Sequence, residues 1–333
     1  MTTIPFVTLA EPRYGEAVQV SPAIMRVVAH NPSKFTYHGT GTYIIGAGRD
    51  VVVIDPGPRL DAHRDALAAA LEGRRVAAVL VTHCHADHSP LATWLAEHTG
   101  APTVGFGAHP RPSEADAAAT DEDDDADDDD DETDDNAGSD SAETTEPVAM
   151  EESTDFDFVP TVHVADGEVA AEIDGVTMRA IHTPGHTSNH LCFAFEQERA
   201  LFSGDHVMGW STTVIAPPDG DMRAYFESLH RVAARNDATL WPTHGAPVTA
   251  PQPFLAAFLA HRLGREAQVL AAVRGGQTSI AAMVKVLYAD VRKELHKPAR
   301  RSVLSHLVKL VDDGLVAVAD GGRPTLRATY LPT

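Results

Sequence analysis

The chain has 333 residues and carries 26 Lys and Arg against 48 Asp and Glu, a formal net charge of −22, with 43% hydrophobic residues. That length suits two domains with buried cores, and the acid is local: residues 113–158 hold 22 acidic residues and no Lys or Arg, so the rest is neutral and a nucleic-acid partner is not excluded for it. Two cysteines, no basic-then-apolar leader over Met1–Arg13 and no apolar run of ~18–20 residues argue against a disulfide scaffold, a secreted protein and a membrane span, so the expected compartment is the cytoplasm.

In chain order, Ala17–Val28 and Gly41–Ile45 read as strands, and Val51–Asp55 as a buried strand ended by Pro56-Gly57. Asp61–Leu71 has the leucine spacing of a helix, Val76–Thr82 is a second buried strand, and Leu91–His98 is a helix stopped by Gly100. The acidic stretch, with its core at Thr120–Asp135, has too little apolar content to offset its ordering entropy and is expected to be a disordered surface loop. Strands resume at Thr161–Val164, Val176–His182, Leu191–Phe195 and Ala200–Ser203; Met222–Ala234 is helical and Leu240–Pro242 is a last strand. From about Phe254 the texture changes. Helices are expected at Arg262–Val273, at Ile280–Leu287 with Ser279 as N-cap, and at Pro298–Asp313. Leu315–Ala319 and Thr325–Tyr330 flank a turn at Asp320-Gly321-Gly322, and three helices with a hairpin make the winged-helix pattern.

The strongest chemical signal is Thr82-His83-Cys84-His85-Ala86-Asp87-His88, three histidines and an aspartate just after an apolar strand. Imidazole and carboxylate at this density suit Zn²⁺ better than any packing role. Downstream, Thr183-Pro184-Gly185-His186-Thr187, Phe202-Ser203-Gly204-Asp205 and Pro242-Thr243-His244-Gly245 each place one more ligand-type residue after a strand.

In that order these fragments resemble the full two-metal set of the metallo-β-lactamase superfamily, over residues from about 20 to 250 and interrupted only by the acidic insert. The resemblance implies an α/β protein, an αββα sandwich over residues 1–253 with the insert at 113–158, followed by a winged-helix-like domain at 254–333. It implies two Zn²⁺ per chain: His83, His85 and His186 on one, Asp87, His88 and His244 on the other, and Asp205 bridging. Two metals ~3.5–4 Å apart lower the pKa of a shared water towards neutrality, and Asp87 is the expected catalytic proton acceptor. Asp55, in Ile54-Asp55-Pro56-Gly57, resembles the family carboxylate that orients a ligand histidine. Cys84 is expected to point away as a small buried residue, while His190, Thr212, Thr213 and Tyr225 are candidates for the substrate cleft. The run Ser203–Val214, with Asp219-Gly220-Asp221-Met222, Tyr225 and Ser228-Leu229, and the His261-Arg262 pair after the last ligand, is similar to the β-lactamase-like protein 2 group.

Three substrates compete for this binuclear hydrolase. The first is single-stranded RNA, since Ala256–Thr333 is net +6 and gathers Arg292, Lys293, Lys297, Arg300 and Arg301 near one helix start. The second is a β-lactam, which fits the ligands but not the expected compartment. The third is a small ester, lactone or thioester. A single-iron dioxygenase is disfavoured by the intact second-metal set, and a metal-sensing DNA-binding protein has no need of all seven ligands. No membrane partner is expected, and a homo-oligomer is compatible with the sequence.

Overall fold

The computed structural model describes residues 3–120, 153–289 and 296–333. The first sheet comprises β1 (Val18–Ser21), β2 (Ile24–Val28), β3 (Gly41–Ile45), β4 (Asp50–Ile54), β5 (Arg75–Leu80), β6 (Thr103–Gly105) and β7 (Val162–His163), in that spatial order. Pairing is antiparallel from β1 to β4 and parallel from β4 to β7. The second sheet has the order β12-β11-β10-β9-β8, made of β8 (Val169–Ile173), β9 (Val176–His182), β10 (Leu191–Phe195), β11 (Ala200–Gly204) and β12 (Thr239–Pro242).

The two sheets stack because their strands are apolar on both faces. In β4, Val52 and Ile54 enter the core shared with Phe193, Phe195 and Phe202 of the second sheet, whereas Val51 and Val53 face outward. This period-two alternation gives each strand two surfaces to cover. Helices α1 (Asp61–Ala70) and α2 (Pro90–Thr99) cover one outer face through Leu67, Leu91 and Leu95. Helix α4 (Met222–Ala234) and the first half of α5 (Pro251–Arg274) cover the other, packing Tyr225, Phe226, Leu229, Phe254 and Phe258 on Cys192, Ala194 and Leu201. The expected αββα sandwich is what the chain forms.

Helix α5 starts eleven residues before the expected Arg262. Pro251 and Pro253 sit in its first turn, where proline removes N–H groups that have no helical partner. Its second half joins a separate core: Val269 and Val273 pack with α6 (Ile280–Leu287), α7 (His296–Asp312) and the hairpin strands β13 (Val316–Val318) and β14 (Tyr330–Pro332). Ser279 caps α6 by accepting from the Ala282 N–H. The last strand begins at Tyr330 instead of Thr325, because the preceding residues dock on α3 (Glu114–Thr120): Leu326 N donates to Ala119 O, and Arg323 pairs with Asp116 at 2.9 Å. Of the acidic stretch, α3 and residues 153–158 are ordered against the body, while 121–152, with the expected disordered core, lie outside the described residues. Arg292 and Lys293 lie outside them as well. No helix among the described residues is long and apolar enough to cross a membrane.

Candidate metal centre

Strands β4, β5, β9, β11 and β12 all end at one edge of the sandwich, the usual place for chemistry in parallel α/β sheets. The loop after β5 carries His83, His85, Asp87 and His88; the loops after β9, β11 and β12 carry His186, Asp205 and His244. All seven converge. Three groups each bring their ligand atoms within 4.8 Å of one another: His83, His85 and His186; His83, His88 and Asp205; Asp87, His88 and His244. Asp205 lies between the two predicted halves, with Oδ1 at 3.7 Å from His88 Nε2 and Oδ2 at 3.5 Å from His244 Nε2 and 3.9 Å from His186 Nε2.

Hydrogen bonding fixes where the imidazole lone pairs point. A carbonyl or carboxylate can only accept, so the nitrogen facing it carries the proton. His186 Nδ1–H donates to Val214 O (2.7 Å), His88 Nδ1–H to Asp55 Oδ2 (2.9 Å) and His244 Nδ1–H to Gly39 O (3.2 Å). Thr82 Oγ1 spends its proton on Asp55 Oδ2, so it accepts from His83 Nδ1–H at 3.1 Å. The Nε2 atoms of His83, His88, His186 and His244 therefore all face inward. Those of His83 and His186 lie 2.9 and 3.2 Å from His85 Nδ1, three imidazole nitrogens meeting at one point. Among the described residues, His88 Nε2 and Asp205 Oδ1 are buried without a hydrogen-bond partner, which is costly unless a cation completes them. Seven converging donors, five of them buried and His85 and His186 half-buried, fit divalent metal ions.

Electrostatics points the same way. Burial holds His83 and His186 below the ordinary imidazole value, and burial with the His186 charge holds His85 down to about 3. Burial also opposes the His244 cation, yet Asp205 and Asp87 outweigh it and raise its pKa to about 10. His88 is raised by Asp87, Asp205 and Asp55 against its own burial. Two buried carboxylates thus demand positive charge at this spot, and protons compete for it with metal.

The supporting residues are equally specific. Asp55 is fully buried at φ 48°, just past β4, and takes four hydrogen bonds: Thr82 N and Oγ1 (2.8 Å each), His88 Nδ1 and Thr243 Oγ1 (3.2 Å). It is the carboxylate that orients a ligand-type histidine, as its sequence context suggests. Gly185 cannot carry a side chain, because a Cβ would lie 2.5 Å from the Tyr225 backbone. Cys84 is buried and turned away: its Sγ lies 3.1 Å from Asn189 Nδ2, and burial pushes the thiol up to about 11.

The cleft above the centre has a volume of about 340 Å³ and reaches His85, Asp87, His186, Asp205 and His244 at its floor. Phe35, Phe156, Met208 and Trp210 line it, with Thr212 among the expected contacts. His190, Thr213 and Tyr225 do not reach it. His190 is fully buried and accepts from Asp205 N through Nε2 (3.2 Å) while Nδ1–H faces Thr183 Oγ1 (2.8 Å), so it fixes the Asp205 backbone. The hydroxyls of Thr213 and Tyr225 both donate to His206 O, at 3.0 and 2.8 Å. The structure adds His109 to the cleft, buried beside Asp219 (3.5 Å), and Arg301, from the basic start of α7. A lone histidine in Ala108-His109-Pro110 carries no ligand spacing, so no sequence signal marked it.

Close by, burial lowers the pKa of His63 from 6.5 to about 4. Its Nε2–H must donate to Thr42 Oγ1 (2.9 Å), whose proton goes to Asp55 O. The unfolded chain protonates His63 near 6.5 and the folded one only near 4, so stability falls as pH drops through that window, on the order of 3 kcal/mol. Denaturant melts of His63→Gln at pH 7, 5.5 and 4.5 should show a flatter decline than the wild type; an equal slope refutes the assignment.

Residues 38–244 match the family model for the metallo-beta-lactamase superfamily, and residues 279–323 match the beta-lactamase associated winged helix domain. The chain is similar to an atrochrysone carboxyl ACP thioesterase of Aspergillus chevalieri, 28% identical over 317 residues, covering 92% of this chain and 86% of the relative. It is also similar to lactamase-like protein ptaB of Pestalotiopsis fici, 27% identical over 321 residues, 92% of this chain and 85% of the other. In fold it resembles a beta-lactamase domain protein from Burkholderia ambifaria (TM-score 0.70, 20% identity, 99% and 97% covered). A metallo-beta-lactamase family protein from Thermus thermophilus is comparable (TM-score 0.65, 20% identity, 95% and 100% covered). With the family model spanning most of the αββα sandwich and both sheets in place, the chain belongs to the metallo-beta-lactamase superfamily and is a hydrolase of that family with a C-terminal winged helix.

Proposed function

We propose that the chain is a binuclear zinc hydrolase acting on acyl thioesters. The observation that carries the metal half is the donor set: four inward Nε2 atoms, His85 Nδ1, Asp87, and Asp205 facing both groups. His83, His85 and His186 would hold one ion, Asp87, His88 and His244 the other, with Asp205 between. When bound, the two ions supply a nucleophile from water at neutral pH and stabilise charge on the carbonyl oxygen.

The chain's own residues do the rest. Asp87 Oδ2 faces His244 Nε2 (3.1 Å) and His88 Nε2 (3.3 Å), and accepts from Thr40 Oγ1 at 2.9 Å. Asn31 Nδ2 donates into that hydroxyl (3.0 Å) and Asn31 Oδ1 holds Thr40 N (2.9 Å), so the threonine proton is committed to Asp87. Asp87 Oδ1 is left to take up the proton of the attacking water.

For the substrate, relatives named as thioesterases favour the ester and thioester alternative over single-stranded RNA. Zinc-loaded and chelated protein should be compared on a thioester, a lactone, a cephalosporin, a bis-aryl phosphodiester and single-stranded RNA. Thioester turnover should be fastest and vanish on chelation. Faster RNA cleavage, or fewer than two zinc ions per chain by elemental analysis, overturns the corresponding half.

A further inference from the structure

We infer that the mouth of the cleft is a phosphate subsite that receives the 4′-phosphopantetheine arm of the acyl thioester, an inference that rests on the thioester reading above. Lys34, Arg111 and Arg301 come from three distant parts of the chain, the β2–β3 connection, the loop after β6 and helix α7, yet all line this one cleft. The metal-ligand residues beneath are buried or half-buried, whereas Lys34 and Arg111 are exposed. Floor to mouth, the order is therefore reacting carbonyl, then cations. A biological acyl thioester has the same order: the thioester, an arm with two amides, then a phosphate.

Two of these cations are held in place by the aromatic walls. Lys34 Nζ lies 4.9 Å from the Phe35 ring centroid and Arg111 Cζ lies 5.0 Å from that of Phe156. Such contacts reduce the entropy lost when a ligand engages the head groups. Arg111 also pairs with Asp157 at 3.1 Å, but with side-chain exposures of 66% and 95% water screens that pair and leaves it weak. The acidic side chains of the cleft wall are occupied elsewhere. Asp116 pairs with Arg323 (2.9 Å), and Asp219 accepts from Ser188 N (2.7 Å) and faces His109 (3.5 Å). Among the described residues, Lys34 and Arg111 thus have no strong competitor for a phosphate.

His109 supplies an independent sign of a ligand. It is buried to 7% exposure on the cleft wall, and its Nδ1 has no hydrogen-bond partner among the described residues. With Nε2 turned to Asp219, Nδ1 is left for a hydrogen bond with a ligand. A pantetheine amide offers one, between carbonyl and phosphate.

The test is calorimetric binding of 4′-phosphopantetheine and of pantetheine to the metal-loaded protein. Both carry the same thiol, so the ratio of affinities isolates the phosphate. The phosphate form should bind about tenfold tighter or better at low salt, with the gap shrinking as salt rises. In Lys34→Ala/Arg111→Ala the ratio should fall towards one, and Arg111→Lys should restore part of it. Equal binding of the two arms by the wild type overturns the inference. If thioesters are hydrolysed but the arms bind alike, only the subsite falls; if the phosphate arm binds tighter but no thioester is cleaved, only the hydrolytic reading falls. One acyl group carried on coenzyme A and on an acyl carrier protein then separates the two sources of the arm, the correct one losing more kcat/KM in the double variant.

Discussion

Asp87→Asn is expected to lower kcat by about 10²- to 10⁴-fold, the range over which a positioned proton acceptor contributes. The amide matches the carboxyl in shape and still accepts from Thr40 Oγ1, so the loop after β5 has no steric reason to move. What it lacks is basicity and charge. Burial raises the pKa of Asp87, but His88 and His244 more than reverse this and hold the carboxyl well below its ordinary value, so wild-type Asp87 is anionic across the working pH range. Its neutral replacement also weakens the attraction for cations beside His88 and His244. Turnover and metal content should therefore be measured together, with thermal melting as the control for folding. A variant that keeps the wild-type metal content and more than a tenth of wild-type kcat sinks the proton-acceptor role.

Asp55→Ala should damage stability more than any substitution of a ligand-type histidine. Four donors would lose their acceptor in a site shut off from water: Thr82 N–H, Thr82 Oγ1–H, His88 Nδ1–H and Thr243 Oγ1–H. Removing one side of such a buried charged cluster costs roughly 3–5 kcal/mol, and alanine is less tolerant than aspartate of a φ of 48°. His88 would lose the bond that fixes its tautomer, so metal affinity should drop about 10- to 100-fold. Asp55→Asn keeps one acceptor oxygen and should fall between the two. Urea unfolding with metal-retention assays reads both effects; a loss below 1 kcal/mol with metal affinity intact contradicts the account.

Much of this was legible before folding because the chemistry is local in sequence. His83, His85, Asp87 and His88 occupy one loop, and each later fragment sets a single ligand-type residue after a strand, so the chain order alone announces their convergence. Strands β3, β9 and β10 and helices α4 and α6 were readable to the residue from apolar runs and caps. The short strand β6 and β8 (Val-Ala-Ala-Glu-Ile) were not, since neither has an apolar alternation to separate it from a loop. Ala17–Val28 reads as one strand but bends at Pro22-Ala23 into β1 and β2. His190, Thr213 and Tyr225 have cleft-type chemistry in sequence, and only packing shows that they brace the backbone around Asp205 and His206 instead. The same holds for Arg301, which the sequence grouped with a nucleic-acid-facing basic patch and the fold delivers to the cleft above the candidate centre.

Helix α5 carries one further consequence. Phe254 and Phe258 belong to the outer wall of the sandwich, while Val269 and Val273, on the same rod, belong to the winged helix. Loosening either end strips apolar area from the other, so the two modules should gain and lose their structure together, as a single cooperative unit. The appended module then contributes to the mechanical rigidity of the floor on which the ligand loops stand. An insertion near Arg262, whose side chain reaches the Thr213 carbonyl next to the His186 anchor at Val214, would be transmitted along the rod as a change in register.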